Sequence, residues 1–294
     1  MNRRLSAFLC VLLALVLGFT SGCELLNLLV NDPKDRKIVA KPAEPSKDEL
    51  RIAPYVFHAD FKIDRKHPVF RDLAQLRNQV YRELRLPTSD QQVHVYLFRD
   101  KPTYESYLQK KYPWLPSRRA FFIRDEKRNV GGEPELKVIT YWSDRIEQDL
   151  RHELTHGLLH SVLLDVPLWL DEGLAEYFEL ASNKNGLNDA HLKQIDATTP
   201  FQPKMADLEE LRQVKDMTPD KYRESWAWVH FALRGNEQAR KVLLRYLHEL
   251  RSNRNPGSLA QRMTKALPDS EQRLIRHVRQ HRYRAGLVSL PGIP

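Results

Sequence analysis

Cysteine is scarce in this chain of 294 residues: there are two, Cys10 and Cys23, both in its first 23 positions. Nothing after residue 23 can form a disulfide, so the rest of the chain must depend on a hydrophobic core. Long apolar runs are scarce as well, since Leu5 to Phe19 is shorter than the roughly 20 residues of a membrane-spanning helix. These absences exclude a disulfide-stabilised fold and a protein with several membrane spans. The content of 41% hydrophobic and 29% charged residues is typical of a globular protein.

The start of the chain has the features of an export signal. A basic segment, Met1 to Arg4, precedes the apolar run, and Thr20-Ser21-Gly22-Cys23 then supplies small residues that end in a cysteine. This resembles a bacterial lipoprotein signal, which implies removal of residues 1–22 and lipidation of Cys23. Because Thr20 stands where that signal usually has leucine, cleavage by an ordinary signal peptidase and an uncleaved anchor stay open. We expect a lipid-anchored protein of the bacterial cell envelope that faces the periplasm or the exterior.

The rest of the chain divides by composition. Residues 23–50 are polar, contain prolines and lack aromatic side chains, which is typical of a flexible tether. Residues 51–250 carry the patterned segments, and 251–294 form a basic extension with nine arginines and lysines against two acids. Most of the net charge of +9 is therefore in the C-terminal extension, where it forms a solvated face or a surface for anionic lipids. This distribution, together with export, argues against a nucleic-acid partner.

Hydrophobic periodicity predicts strands in the first half of the domain and helices in the second. Alternation indicates strands at 55–61, 93–98, 120–123 and 136–141, with helices at 67–85 and 102–111. Beyond residue 143 the predicted helices are 144–163, 168–181, 206–214, 219–233, 236–252 and 271–284. This order favours an α+β fold, with an N-terminal mixed β-sheet lobe followed by a helical lobe.

The segment His152-Glu153-Leu154-Thr155-His156 lies in the first helix of the helical half. Residues four apart share a helix face, so both imidazoles can bind one metal ion while Glu153 points to one side of it. A catalytic zinc site also needs a third protein ligand and one open position. Glu172 lies 16 residues beyond His156, and a chain reversal near Pro167 can return its carboxylate to the metal.

This pattern resembles a known group of enzymes. HExxH followed by Trp169-Leu170-Asp171-Glu172-Gly173 and Ala175-Glu176-Tyr177 is similar to the gluzincin zinc metallopeptidases, and most similar to bacterial lipoproteins with a peptidase MA-like domain. The resemblance covers about residues 144–233 and implies a zincin-like fold with one zinc ion between its two lobes. The metzincin alternative requires glycine at 159 and histidine or aspartate at 162, where this chain has Leu159 and Val162.

The resemblance implies a thermolysin-like hydrolysis of a peptide or protein substrate. His152, His156 and Glu172 would bind the single zinc ion. Glu153 would be the general base, taking a proton from the zinc-bound water and passing it to the leaving amine.

Three more residues are candidates for supporting roles. Asp171 and Glu176 are candidates for the carboxylates that orient zinc-bound histidines, with ordinary solvent-facing acids as the alternative. Tyr222 opens a helix downstream of the motif, as does the tyrosine that donates to the oxyanion in the aminopeptidase branch of the group. Its alternative is a tyrosine that packs on the core.

The strand before the zinc helix is the candidate substrate strand. In zincins an edge strand at this place pairs with extended substrate, so we expect Lys137, Val138, Ile139 and Thr140 to offer free backbone groups. The aminopeptidase branch marks this region with a Gly-x-Met-Glu-Asn run, which Gly131-Gly132-Glu133-Pro134-Glu135 lacks. Endopeptidase activity and an unusual exopeptidase activity both stay open.

Two further histidines lie near these motifs. His160 is eight residues beyond His152, about 12 Å along the helix, so it is too distant to share the metal and is expected to be structural. His230 lies in an aromatic-rich segment and either faces the cleft or packs in the core.

The sequence thus predicts a zinc-dependent metallopeptidase at the bacterial cell envelope. Two alternatives remain: an envelope binding or assembly lipoprotein that keeps the fold without proteolysis, and a zinc hydrolase of a non-peptide amide.

Overall fold

The computed structural model describes residues 44–128, 132–195 and 200–287. Over these residues the chain forms a mixed α+β fold with one five-stranded sheet and ten α-helices. The predicted signal at 1–22, the lipidation site Cys23 and the tether as far as residue 43 lie outside the described residues. None of the helices in the described ranges combines the length and apolar composition that crossing a bilayer requires.

One mixed sheet forms the first half of the domain. Its strands are β1 (Asp48–Ile52), β2 (Tyr55–Ala59), β3 (Val93–Phe98), β4 (Ala120–Arg128) and β5 (Pro134–Tyr141). Their order across the sheet is β1-β2-β3-β5-β4. The central strands β2, β3 and β5 run parallel, and the two outer strands run antiparallel to their neighbours.

The strand β5 is an inner strand, so the expectation that it forms a free edge is wrong. Lys137, Val138, Ile139 and Thr140 pair with β3 on one side and with β4 on the other. Their backbone groups therefore belong to the sheet ladder. The edge on this side is β4, which precedes β5 in the chain and folds back to its outer side as a hairpin.

The helices follow the predicted pattern closely, with small shifts at their ends. They are α1 (Pro68–Leu84), α2 (Lys101–Lys111), α3 (Ile146–His160), α4 (Leu168–Phe178), α5 (Asp189–Gln194), α6 (Met205–Glu209), α7 (Pro219–His230), α8 (Glu237–Glu249), α9 (Leu259–Ala266) and α10 (Ser270–Arg284). A π-helical turn, Phe231–Gly235, joins α7 to α8. The sequence patterns did not predict β1, α5 and α9.

Regular structure continues beyond both ends of the segment 51–250. The strand β1 starts inside the expected tether, and Asp48 accepts hydrogen bonds from the Ile63 N–H and the Arg65 guanidinium. At the other end, Met263 and Leu274 belong to the same hydrophobic cluster as the sheet and the central helices. The basic segment up to residue 287 is therefore part of the domain.

The main core lies between one face of the sheet and the helices. It includes the predicted stripe of α1, in which Leu73, Leu76 and Val80 are fully buried. A smaller cluster on the opposite face packs α2 against β3, β4 and β5. Because α3 follows β5 directly and lies on the main core, the HExxH segment is carried at the junction of the sheet with the helical half.

Candidate metal centre

Helix α3 is fixed in place by a buried arginine. Arg151 is 1% exposed, and its guanidinium donates to Phe178 O at 3.0 Å. It also donates to Asp72 Oδ2 at 2.8 Å and Gln79 Oε1 at 3.0 Å on α1. One planar cation thus joins three helices, a task that suits the fixed fork of arginine. Because Arg151 immediately precedes His152, this contact also fixes the direction in which the helix face that carries His152 and His156 points.

The two histidines of the motif converge on a single carboxylate. His152 Nε2 lies 3.5 Å from Glu172 Oε2, and His156 Nε2 lies 3.8 Å from the same oxygen. Each of the three residues offers a donor atom within 4.8 Å of the others, a spacing from which a metal ion could be held. We call His152, His156 and Glu172 the α3–α4 cluster.

Helix α4 presents Glu172 because it packs unusually close to α7. It begins after Pro167, where a missing N–H leaves no bond unmade. A Cβ added to Gly173 would lie 2.7 Å from Ser225 O on α7, closer than real atoms approach. The glycine after Glu172 is therefore required by the contact between the two backbones.

A second layer of acids lies behind the histidines. Asp171 Oδ2 is 3.0 Å from both His156 Nδ1 and His160 Nε2. Glu179 Oε2 is 3.0 Å from His152 Nδ1, and its other oxygen accepts from Gln148. Each histidine of the motif thus has its Nε2 toward Glu172 and its Nδ1 toward another carboxylate, as in the carboxylate–histidine–metal arrangement of many metal sites.

The supporting acids are placed only partly as expected. Asp171 contacts His156, whereas Glu176 forms its shortest contact with His191 Nε2, at 2.8 Å. The carboxylate that contacts His152 is Glu179, which sequence reasoning missed. A signal was available, because residues seven apart lie on the same helix face and Glu179 follows Glu172 by seven.

The acids shift the protonation of the motif. Burial opposes a charged imidazole, but Asp171 and Glu172 outweigh it and raise the pKa of His156 to about 9. Hydrogen-bonded carboxylates likewise raise the pKa of His152 against the effect of burial. Burial also raises the pKa of Glu153, although the two imidazoles beside it act in the opposite direction. The cluster is therefore rich in negative charge and attracts cations.

The edge strand β4 reaches this cluster, whereas the predicted strand β5 does not form an edge. The Phe122 backbone N–H lies close enough to the Glu153 carboxylate to oppose the rise in the pKa of that group. The Phe122 ring stacks on His156 and His160, with centroid separations of 5.8 and 5.3 Å. His160, as expected, is no member of the α3–α4 cluster: it is buried between this ring and Asp171.

Tyr222 lies beside the cluster in the first turns of α7. Burial and the Glu172 carboxylate raise the pKa of Tyr222 to about 12, and Arg118 and His152 partly oppose this rise. Its hydroxyl therefore stays protonated as a donor at neutral pH. Arg118 was not predicted, since the irregular segment before β4 has no periodic pattern. Its carbonyl accepts a hydrogen bond from Tyr104 at 2.9 Å.

Comparison of the chain with protein-family models and with curated proteins finds no match. The functional argument therefore depends on side-chain geometry. Within the described residues, three groups of side chains have the spacing to hold a metal ion. One is the α3–α4 cluster, one joins His152 to Glu176 and Glu179, and one is separate and contains His230, His277 and His281.

Proposed function

We propose that this protein is a gluzincin-type zinc metallopeptidase that hydrolyses peptide bonds. The observation that carries the proposal is the orientation of the motif histidines, whose Nε2 atoms converge on Glu172 while their Nδ1 atoms face Asp171 and Glu179. Two imidazoles and one carboxylate, with a fourth position left for water or substrate, are a common donor set of catalytic zinc.

The spacing of the donor atoms fits a zinc ion. Ligand atoms around tetrahedral zinc lie roughly 3.3 Å apart, given zinc–nitrogen bonds of about 2.0 to 2.1 Å. The separations of 3.5 and 3.8 Å between the Nε2 atoms and Glu172 Oε2 are close to this value. Small side-chain adjustments would bring His152, His156 and Glu172 onto one ion.

Glu153 is the group that moves the proton. Zinc, when bound, supplies a Lewis acid that polarises the scissile carbonyl and makes water more acidic. The Glu153 carboxylate accepts the proton of the attacking water and delivers it to the departing amine nitrogen. Its raised pKa suits this exchange, because a carboxyl with a pKa nearer neutrality holds and releases a proton more readily.

Tyr222 and Arg118 are placed to stabilise charge in the reaction. The pKa of the Tyr222 hydroxyl is raised to about 12, so it stays protonated at neutral pH and can hydrogen-bond the oxyanion that develops on the scissile carbonyl. Arg118 lies beside this hydroxyl on the exposed segment that leads into β4. A guanidinium there suits a substrate carboxylate.

Strand β4 is the candidate for substrate binding. It is an outer strand, and the Phe122 backbone N–H lies near the Glu153 carboxylate. An extended peptide added along this edge would pass in front of the general base, with main-chain hydrogen bonds supplying much of the affinity. This arrangement assigns to β4 the role that the sequence had assigned to Lys137, Val138, Ile139 and Thr140.

The envelope location follows from the N-terminal sequence. Lipidation at Cys23 would anchor the chain a short distance in sequence before the described residues, which begin at residue 44. The catalytic domain would then work close to the membrane surface that anchors it.

The test is metal content and peptide-library cleavage for residues 24–294, beside Glu153→Gln and the matched control Glu147→Gln, an exposed acid on the same helix. We expect zinc in all three proteins and cleavage lost in Glu153→Gln alone. Zinc without cleavage in any protein would favour a non-peptide amide substrate. Folded protein without zinc at His152, His156 and Glu172 would contradict the proposed enzymatic function and favour a binding or assembly protein.

A further inference from the structure

A second histidine cluster lies away from HExxH, between α7 and α10. His277 and His281 are four residues apart on α10, so they share one helix face. His230, the last residue of α7, places its Nδ1 2.8 Å from His277 Nε2. The ring centroids of His230 and His281 are 5.1 Å apart, and those of His277 and His281 are 4.7 Å apart. We call these three residues the α7–α10 cluster.

The fold brings these rings together through an irregular turn. The π-helical turn begins directly after His230 and ends at Gly235. A Cβ added to Gly235 would lie 2.7 Å from His277 Nδ1, so only glycine leaves room for that imidazole. Such π-turns inside helices are frequent at functional sites.

The cluster is closed on one side and open on the other. His230 is buried and has the rings of Trp226 and Tyr177 beside it, at centroid separations of 5.5 and 6.1 Å. His277 also lines a cavity of about 310 Å³ that is open to solvent and includes Gln280. Because His277 and His281 are only partly buried, an ion can reach these two imidazoles from the surface, as a metal site requires.

We propose that His230, His277 and His281 bind a divalent transition-metal ion of the zinc class, which fastens α10 to α7. Their donor nitrogens lie within 4.8 Å of one another, a spacing that one ion can bridge. Imidazole nitrogens are ligands that zinc, copper and nickel accept readily, whereas Mg²⁺ and Ca²⁺ prefer oxygen. The fourth position would be taken by water.

The surroundings keep these imidazoles in the form that binds metals. Burial, followed by the charges of the neighbouring histidines, lowers the pKa of His230 to about 2. Burial lowers the pKa of His277 to about 4, with smaller effects from His281 and Arg284. Neutral imidazole is the ligand form, and the nitrogen that donates in the hydrogen bond between His230 and His277 would offer its lone pair after a change of tautomer.

Nearby arginines weaken this binding. Arg234 lies close enough to His230 to lower its pKa, although its guanidinium also pairs with Glu83 and donates to the Tyr177 hydroxyl at 2.6 Å. No carboxylate is among the three ligands. We therefore expect weaker affinity here than at the α3–α4 cluster, where acids offset the charge of the ion.

The ion would be structural. It would join residues 47 positions apart, His230 and His277, and so attach the basic C-terminal helix to α7. Helix α7 also carries Tyr222, two turns before His230. The ion would therefore stabilise the helix that contributes Tyr222 to the proposed active site. Its ligands are distinct from those of the α3–α4 cluster.

The test is zinc stoichiometry after chelation and equilibrium dialysis against Zn²⁺ alone, on residues 24–294. We expect two ions per chain in the wild type, one in His281→Asn, one in His156→Asn and none in the double variant. His248→Asn, which removes an exposed histidine outside both clusters, should keep two. His277→Gln serves as a second variant of the α7–α10 cluster, and circular dichroism verifies that each variant is folded.

The outcomes separate this proposal from the proposed function. A single ion that is retained in His281→Asn and His277→Gln, and lost in His156→Asn, would overturn the second site and leave the peptidase standing. A single ion that is retained in His156→Asn, and lost in His281→Asn and His277→Gln, would support the second site and contradict the peptidase. In His156→Asn, we also expect Zn²⁺ to raise the unfolding temperature, and no shift would overturn the structural ion.

Discussion

The two histidine clusters are built on the same plan and differ in their surroundings. Each has an i,i+4 histidine pair on one helix and a third residue from another helix: Glu172 for α3–α4, and His230 for α7–α10. Acids raise the pKa of His156 to about 9, while burial lowers that of His277 to about 4. Identical spacing therefore produces opposite electrostatics, and the neighbours decide what a histidine pair can do.

The neighbours also decide which cluster can catalyse. The residue after His152 is Glu153, a carboxylate placed beside both imidazoles. The residue after His277 is Val278, which is 4% exposed and packs into the main core. The α7–α10 cluster thus has no base at the corresponding position. We interpret the first cluster as catalytic and the second as structural for this reason.

The largest expected effect separates the clusters by activity. Tyr222→Phe removes the hydroxyl that we place at the oxyanion, so kcat should fall about 10²- to 10³-fold. Zinc content should stay at the wild-type value, because Tyr222 is no ligand of either cluster. Steady-state kinetics on a susceptible peptide measures the change. Unchanged turnover in a folded, zinc-loaded variant would remove Tyr222 from the mechanism.

A smaller effect concerns the acids behind the first cluster. Glu179→Gln replaces the carboxylate 3.0 Å from His152 Nδ1, so zinc affinity at the α3–α4 cluster should fall about 10- to 100-fold. Glu176→Gln is the matched control, since Glu176 has its shortest contact with His191 and should change the affinity less. Competition with a chromophoric chelator measures both. Equal losses would show that net charge, and not the contact with His152, sets the affinity.

These contrasts also explain how far the sequence reaches. His152 and His156 were recognisable because helical periodicity places residues four apart on one face, and Glu172 because of the resemblance to gluzincins. Glu179 lies seven residues, or two helical turns, beyond Glu172 and therefore on the same helix face. It was not predicted because it lies outside the motif that resembles gluzincins. The residues of the site that share a helix face are therefore the easiest to predict from the sequence.

Long-range pairing is what the sequence could not supply. Whether β4 or β5 forms the edge depends on the order in which a hairpin adds to the sheet, which no local pattern determines. His230 lies 47 positions before His277, and only the packing of α10 against α7 brings the two together. The place of Arg118 likewise depends on an irregular segment that has no period.

The contact that links the two clusters gives the next prediction. Helix α4 carries Glu172, and α7 carries both Tyr222 and His230, so the close approach at Gly173 aligns them. Gly173→Ala would force a Cβ to within 2.7 Å of Ser225 O, and we expect a loss of about 1 to 3 kcal/mol in the free energy of unfolding.

The matched control for this change is Gly157→Ala on α3. Its Cβ would meet the Val93 methyl groups at 3.0 and 3.1 Å, and a side chain can shift where a backbone carbonyl cannot. Urea unfolding of both variants measures the difference. If Gly157→Ala were the more destabilising, the backbone contact between α4 and α7 would not be the constraint that we infer.

The smallest expected effect contrasts the clusters by pH in metal-free protein. The folded-state pKa of His156, about 9, lies above its unfolded value near 6.5, so its stabilising contribution is complete below pH 6.5 and lost as the pH rises toward 9. The folded-state pKa of His277, about 4, lies below that value, so its contribution is complete above pH 6.5 and lost as the pH falls toward 4. His156 faces Asp171, Glu172 and His152, whereas His277 faces two histidines and Arg284.

Two variants isolate these contributions in the presence of chelator. Relative to the wild type, His156→Gln should lose less stability between pH 6.5 and 9, and His277→Gln should lose less between pH 6.5 and 4. Each difference should be on the order of 1 kcal/mol. Urea unfolding at pH 4.5, 6.5 and 8.5 provides the measurement. In the comparison with the wild type, the contributions to stability of the carboxylates that titrate in the same range cancel. If both variants changed stability in the same direction with pH, the two clusters would share one electrostatic environment, and the distinction between a catalytic and a structural site would lose its physical basis.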